Sequence, residues 1–130
     1  MSFIEPELRE GNDEIDLARS GSLPQLVEAK DIHGELHAHT TSSDGTATIE
    51  EMVKGALELL DTDFIIATSG IMGPGGGSPE KPVGTVWVAV GNHQKIITQK
   101  FAFRFDRQRN IELAATNALN LLRKFILSVD

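Results

Sequence analysis

Two stretches of the chain carry residue types that do chemistry. The first is residues 69–87, Ser-Gly-Ile-Met-Gly-Pro-Gly-Gly-Gly-Ser-Pro-Glu-Lys-Pro-Val-Gly-Thr-Val-Trp. Five glycines fall within residues 70–77, and Pro74, Pro79 and Pro82 are interleaved with or follow them. Glycine loses more backbone freedom on folding than any other residue. A loop this rich in it is retained where the backbone must reach φ > 0 or where a ligand approaches bare peptide groups. The alternative is a flexible linker, but three prolines and the central Glu80-Lys81 make the stretch too stiff for that role. Set between two apolar runs that read as strands, it is expected to face a ligand.

The second stretch is His33–His39 with the turn that follows. His37 and His39 are two apart, so on a strand both rings point to one face while Leu36 and Ala38 point to the other. With the carboxylate of Asp44 in the next turn they form half of a divalent metal site, suited to one weakly bound ion. The competing reading is a pair of polar residues at a strand end beside an acidic turn. The turn itself, Thr41-Ser42-Ser43-Asp44-Gly45-Thr46, precedes a helix, so Ser42 or Ser43 falls where helix N–H groups favour a phosphate. A serine without a paired base is not a nucleophile, and His39 is the only base near this turn.

The elements that must position these residues follow from periodicity. His33–His39 reads as a strand. Thr48-Ile49-Glu50-Glu51 has the form of a capping box, and Ile49, Met52, Val53, Ala56, Leu57 and Leu60 then recur at helical spacing. Phe64–Ala67 is a short apolar strand, and strand–helix–strand of this length predicts a parallel βαβ unit. Thr85–Val90 is apolar nearly throughout, Gly91-Asn92 supplies a turn, and Ile97–Phe105 alternates as a half-buried strand does. Residues Arg107–Ser128 place Ile111, Ala114, Ala115, Ala118, Leu119, Leu122, Phe125 and Ile126 on one helical face. Upstream, Glu14–Arg19 forms a short helix stopped by Gly21. The expected fold is α/β, a small sandwich with a mixed sheet and the order β-α-β-β-β-α.

Bulk properties narrow the function. The 130 residues carry a net charge of −7, which argues against nucleic-acid binding because phosphate neutralisation needs a basic face. The charge is uneven: residues 1–60 hold 13 acids against 4 bases, residues 61–130 hold 6 against 8. Such asymmetry marks a module boundary. The absence of cysteine excludes disulfides, thiolate zinc sites and cysteine nucleophiles. No apolar run approaches membrane-spanning length and the start is not signal-like, so a soluble, cytoplasmic chain without a membrane partner is expected.

The glycine loop, read as Gly-Ile-x-Gly-Pro-Gly-Gly-Gly-x-Pro-Glu-Lys-Pro-Val-Gly-Thr-Val, resembles the signature of the CinA C-terminal domain, the nicotinamide-nucleotide amidohydrolase family. The likeness runs over residues 51–130 and takes in Asp106-Arg107, similar to the family's Gly-Asp-Arg element. It implies that Ser69 (as the catalytic hydroxyl retained), Gly70, Gly73, Gly75, Gly76 and Gly77 line a nucleotide site. It also implies that Arg107 adds a charged contact, against the alternative of a solvent-exposed helix residue, and that no cofactor is required. The family's Glu-Ser-Cys-Thr-Gly-Gly serine motif and its supporting lysine are not found. Residues 1–55 are similar instead to the opening of the PHP metallophosphoesterase domain of bacterial family-X DNA polymerases. There Asp31-Ile32-His33-Gly34-Glu35-Leu36-His37-Ala38-His39 and Ser43-Asp44-Gly45 carry the likeness, which implies His37, His39 and Asp44 as metal ligands. The seam falls near Ile49–Ala56.

Three functions compete on this reading: an amidohydrolase of nicotinamide nucleotides, a metal-binding module, and a chimera that folds but performs neither reaction. A homo-oligomer is expected, since half-domains leave apolar surface and sheet edges uncovered. Nucleotide binding without hydrolysis is the expected behaviour, because binding needs amides and shape whereas hydrolysis needs an activated nucleophile.

Overall fold

The computed structural model describes residues 2–41 and 45–129. The chain divides into two units, Met1–Ile32 and His33–Asp130. The first holds a short helix, α1 (Glu14–Ser20), and two single turns of 3₁₀ helix at Pro6–Leu8 and Ala29–Asp31. Gly21 ends α1 in the left-handed region at φ 74°, as the sequence predicts, and its N–H caps the Leu17 carbonyl. The Glu14 carboxylate accepts the backbone N–H groups of Gly11 and Asn12, which hold it below the usual carboxylate range together with its own N–H, the largest contributor.

The second unit contains α2 (Ile49–Leu60), β1 (Ile65–Gly70), β2 (Thr85–Gly91), β3 (Ile96–Ala102) and α3 (Arg107–Val129). The capping box forms as expected: Thr48 Oγ1 accepts the Glu51 N–H at 3.2 Å, and Glu51 Oε2 accepts the Thr48 N–H at 2.7 Å. The Thr48 N–H, and after it the Thr48 hydroxyl, hold the Glu51 carboxyl below the usual carboxylate range. The strands lie in the order β1-β2-β3, with β2 central and buried. Val86, Val88 and Val90 pack with Ala114, Ala118 and Phe125 of α3. Ala89 on the opposite face packs with Ile49, Val53 and Leu57 of α2. The alternation of β2 therefore serves two helices, and the result is an α/β sandwich of three layers.

The hairpin expected between residues 85–90 and 97–105 is present. β2 and β3 pair antiparallel from Thr85↔Ala102 to Gly91↔Ile96. Asn92 Oδ1 closes the turn by accepting the N–H groups of Gln94 and Lys95. Three features of the expected order are corrected. The sheet is antiparallel throughout its described residues, not mixed, because β1 also pairs antiparallel with β2. His33–His39 is not a strand, so the second unit runs α-β-β-β-α and the parallel βαβ unit is not formed. One isolated parallel bridge, Thr40↔Ala47, marks where that segment passes. The reason lies in burial. Every residue from His33 to His39 is exposed, including Leu36, so neither face of the segment gains from packing in a sheet.

Candidate functional site

The glycine loop joins β1 to β2 at one end of the sheet. Its base is a pair of backbone bonds, Ile71 N–H to the Thr85 carbonyl at 2.9 Å and Gly84 N–H to the Ile71 carbonyl at 2.6 Å. Gly84 sits at φ 86°, and a Cβ there would strike the carbonyl of Phe103, so no other residue fits. Beyond the base, α3 holds the loop. Arg107 Nη1 donates to the Gly73 carbonyl at 2.6 Å, and Asn110 Nδ2 donates to the Met72 carbonyl at 3.1 Å. Asn110 is fully buried. It also donates to the Phe105 carbonyl at 3.0 Å and accepts the Phe105 N–H at 3.2 Å. All of its hydrogen-bonding groups are engaged, as a buried amide requires.

The far side of the loop is closed by a turn at Ser78–Lys81. Ser78 N–H donates to the Lys81 carbonyl at 3.0 Å, and Ser78 Oγ accepts the Lys81 N–H while donating to Glu80 Oε2. The Glu80 carboxyl is lowered by its own backbone N–H first and by the Ser78 hydroxyl second. Between these fixed points the loop is exposed from Pro74 to Glu80.

The residues proposed from the sequence occupy distinct places. Gly75, Gly76 and Gly77 form the exposed tip, and a Cβ on Gly76 would lie 3.7 Å from the side chain of Ile71, so the tip folds back toward β1. Gly73 is buried beneath Val83. Gly70 ends β1 against the backbone of Thr85 and Val86. Ser69 precedes it, half-buried, with its Oγ 2.9 Å from Thr40 Oγ1. Arg107 is an exposed residue of the first turn of α3 whose tip is engaged by the Gly73 carbonyl.

His37 and His39 are close, with Nε2 atoms 3.2 Å apart and ring centroids 5.2 Å apart. Asp44, Ser42 and Ser43 lie outside the described residues. Among those that are described, no group of three or more His, Asp or Glu side chains is placed to hold a metal ion. His93 lies in a cleft of about 430 Å³ at the opposite end of the sheet, with Glu50, Lys54, Glu58 and Lys95.

Sequence reasoning missed Thr40 and Asn110. Thr40 had no signal, since its importance comes from a neighbour 29 residues away. Asn110 was legible in principle: an Asn one turn after Asp106, whose Oδ1 caps the Arg109 N–H at 3.0 Å, interrupts an otherwise apolar helical face.

The sequence matches the CinA C-terminal domain family over residues 31–126. A CinA-like protein of Thermosipho melanesiensis is 45% identical over 80 residues, 60% of this chain and 20% of that protein. The nicotinamide-nucleotide amidohydrolase PncC of Shewanella oneidensis is 45% identical over 82 residues, 62% of this chain and 19% of that protein. Among solved structures, the competence damage-inducible protein A of Klebsiella pneumoniae superposes with a TM-score of 0.57 at 34% identity, over 61% of this chain and 49% of that one. A competence/damage-inducible protein of Agrobacterium tumefaciens gives a TM-score of 0.56 at 32% identity, over 58% and 47%. The chain belongs to the CinA C-terminal domain family. It spans about a fifth of the length of these curated relatives and about half of the solved chains. The family match begins at residue 31, so it takes in residues 31–50, His37 and His39 among them, ahead of the start at residue 51 expected from the sequence. Among the described residues no helix is long and apolar enough to cross a membrane.

Proposed function

We propose that the chain binds a nicotinamide nucleotide at the Ser69 end of the sheet and does not hydrolyse its amide. The name of the Shewanella oneidensis relative supports the ligand class. The observation that carries the reading is the clamp of Arg107 Nη1 on the Gly73 carbonyl, which fixes the loop while leaving the Gly75–Gly77 amides exposed to donate to a ligand. Arg107 keeps further donors for an anionic group. Ser69 leads into this loop, but its hydrogen-bond partner is Thr40, another hydroxyl, and not a base. A serine so paired orients a ligand and lacks the activation a nucleophile needs. Association into a homo-oligomer through the outer edge of β3 belongs to the same reading.

Calorimetric titration with nicotinamide mononucleotide, run beside an ammonia-release assay, tests this. Saturable binding without ammonia is expected. Release of ammonia that disappears in Ser69→Ala overturns the non-hydrolytic part, and absence of binding overturns the whole.

A second reading rests on the 3.2 Å between the Nε2 atoms of His37 and His39. Two imidazoles on one tetrahedral zinc, each at about 2.0–2.1 Å, stand roughly 3.3 Å apart, so the pair is already spaced to hold one divalent ion weakly.

A further inference from the structure

We propose that Trp87 and Lys100 extend the ligand site across the sheet, with Trp87 taking the ligand's ring and Lys100 its phosphate. The proposal rests on the reading that a nucleotide binds beside Ser69. Register places the three side chains in one row: Ser69 is the cross-strand partner of Trp87, and Trp87 of Lys100. Directly opposed residues of antiparallel strands point to the same face, so all three project on the side that carries α2. Further along that face, α2 covers Ala67, Ala89 and Ile96, and Trp87 lies half-buried at the margin of that cluster. The row therefore has an apolar wall on one side and the glycine loop beyond Gly70 on the other.

The chemistry along the row is graded. At the β1 end stands the half-buried Ser69 Oγ, a hydroxyl that both donates and accepts and so suits a neutral carboxamide, with the buried Thr40 Oγ1 2.9 Å behind it. In the middle, the indole of Trp87 offers a π surface, which attracts a cationic ring such as a nicotinamide nucleotide carries. At the β3 end the Lys100 ammonium lies 5.4 Å from the indole centroid, and no carboxylate among the described residues pairs with it. A cation held only over a ring is free to exchange that contact for a phosphate. Two strand spacings separate Ser69 from Lys100, about 10 Å, which suits a ring, a ribose and one phosphate laid flat. The ligand class is thus a mononucleotide with an electron-poor ring and one phosphate.

Trp87 is the only tryptophan in the chain, so its emission reports on this row alone. The full chain is titrated with nicotinamide mononucleotide and with nicotinamide riboside, which lacks the phosphate, while emission and calorimetric binding are both recorded. Saturable quenching is expected with each. Lys100→Gln should weaken the mononucleotide roughly fivefold, leave the riboside unchanged, and be rescued by Lys100→Arg. Because Lys100 is exposed, unchanged thermal unfolding of both variants confirms that the fold is intact. Calorimetric binding with unaltered Trp87 emission, or with equal affinity in Lys100→Gln, overturns this placement and leaves the glycine-loop reading standing. No calorimetric binding of the mononucleotide overturns both.

Discussion

The glycine loop and the histidine segment are both irregular and both largely exposed, yet they are held in different ways. Residues 71–84 are fixed at successive carbonyls: Ile71 by Gly84, Met72 by Asn110 and Gly73 by Arg107. In residues 33–39 the ring of His33 is held by Nδ1 against the Leu60 carbonyl, and the bridge at Thr40 follows directly. In between, the imidazoles of His37 and His39 contact each other. The lesson is that irregularity and looseness are separate properties. A loop whose carbonyls are consumed by side chains from a packed helix presents its remaining N–H groups in fixed directions, whereas a segment exposed at every residue presents side chains whose geometry a ligand must complete.

The sharpest way to break this contrast is to remove Asn110. Asn110→Ala leaves the Met72 carbonyl and both backbone polar groups of Phe105 without their side-chain partner in a partly buried setting. A loss of about 3 kcal/mol in urea unfolding is expected. A loss below about 1 kcal/mol would show that water replaces the amide and that the loop is not clamped from α3.

A smaller effect is expected of Arg107→Ala, about 1 kcal/mol for one charge-assisted bond at a partly exposed site. Its larger consequence should appear as faster hydrogen exchange of the Gly75–Ser78 amides, with the sheet amides unchanged. Uniform acceleration across β2 would mean that Arg107 supports the fold rather than the loop.

At the other extreme, His37→Ala should alter stability by less than about 0.5 kcal/mol, since the ring is exposed and buries little. It should instead abolish binding of a single zinc or nickel ion in a metal titration. Two or three ions retained through purification would show more ligands than His37 and His39, and would turn the loose segment into a built site.

How far the sequence could be read depended on whether an element's reason was local. The capping box of α2, the Asn92 turn and the Gly21 stop are each decided within a few residues and were legible, whereas the inner face of α3 was read too wide: Ala114, Ala118 and Phe125 are buried, but Ile111, Ala115 and Leu119 are exposed. The strand expected at His33–His39 failed because alternation is only half of what makes a strand. The other half is a face to bury, and Leu36 remains 47% exposed. With that strand absent, the expected parallel crossover had nothing to cross to, and β1 took its partner from the far side of the glycine loop instead. The site divided along the same line. Its glycines stood out by composition, whereas the Thr40–Ser69 pair and the row from Ser69 to Lys100 exist only once the register is set.

One property of the loop tip has practical weight. Nothing lies within 4 Å of where a Cβ on Gly75 would project, so a side chain is accommodated there. The chain has no cysteine and one tryptophan. Gly75→Cys would therefore carry the sole thiol of the molecule at its outermost turn, while Trp87 is the sole intrinsic donor fluorophore in the sheet beneath. A single acceptor dye attached at that thiol makes the protein its own ruler, reading the height of the loop above the sheet by energy transfer from one site to one site.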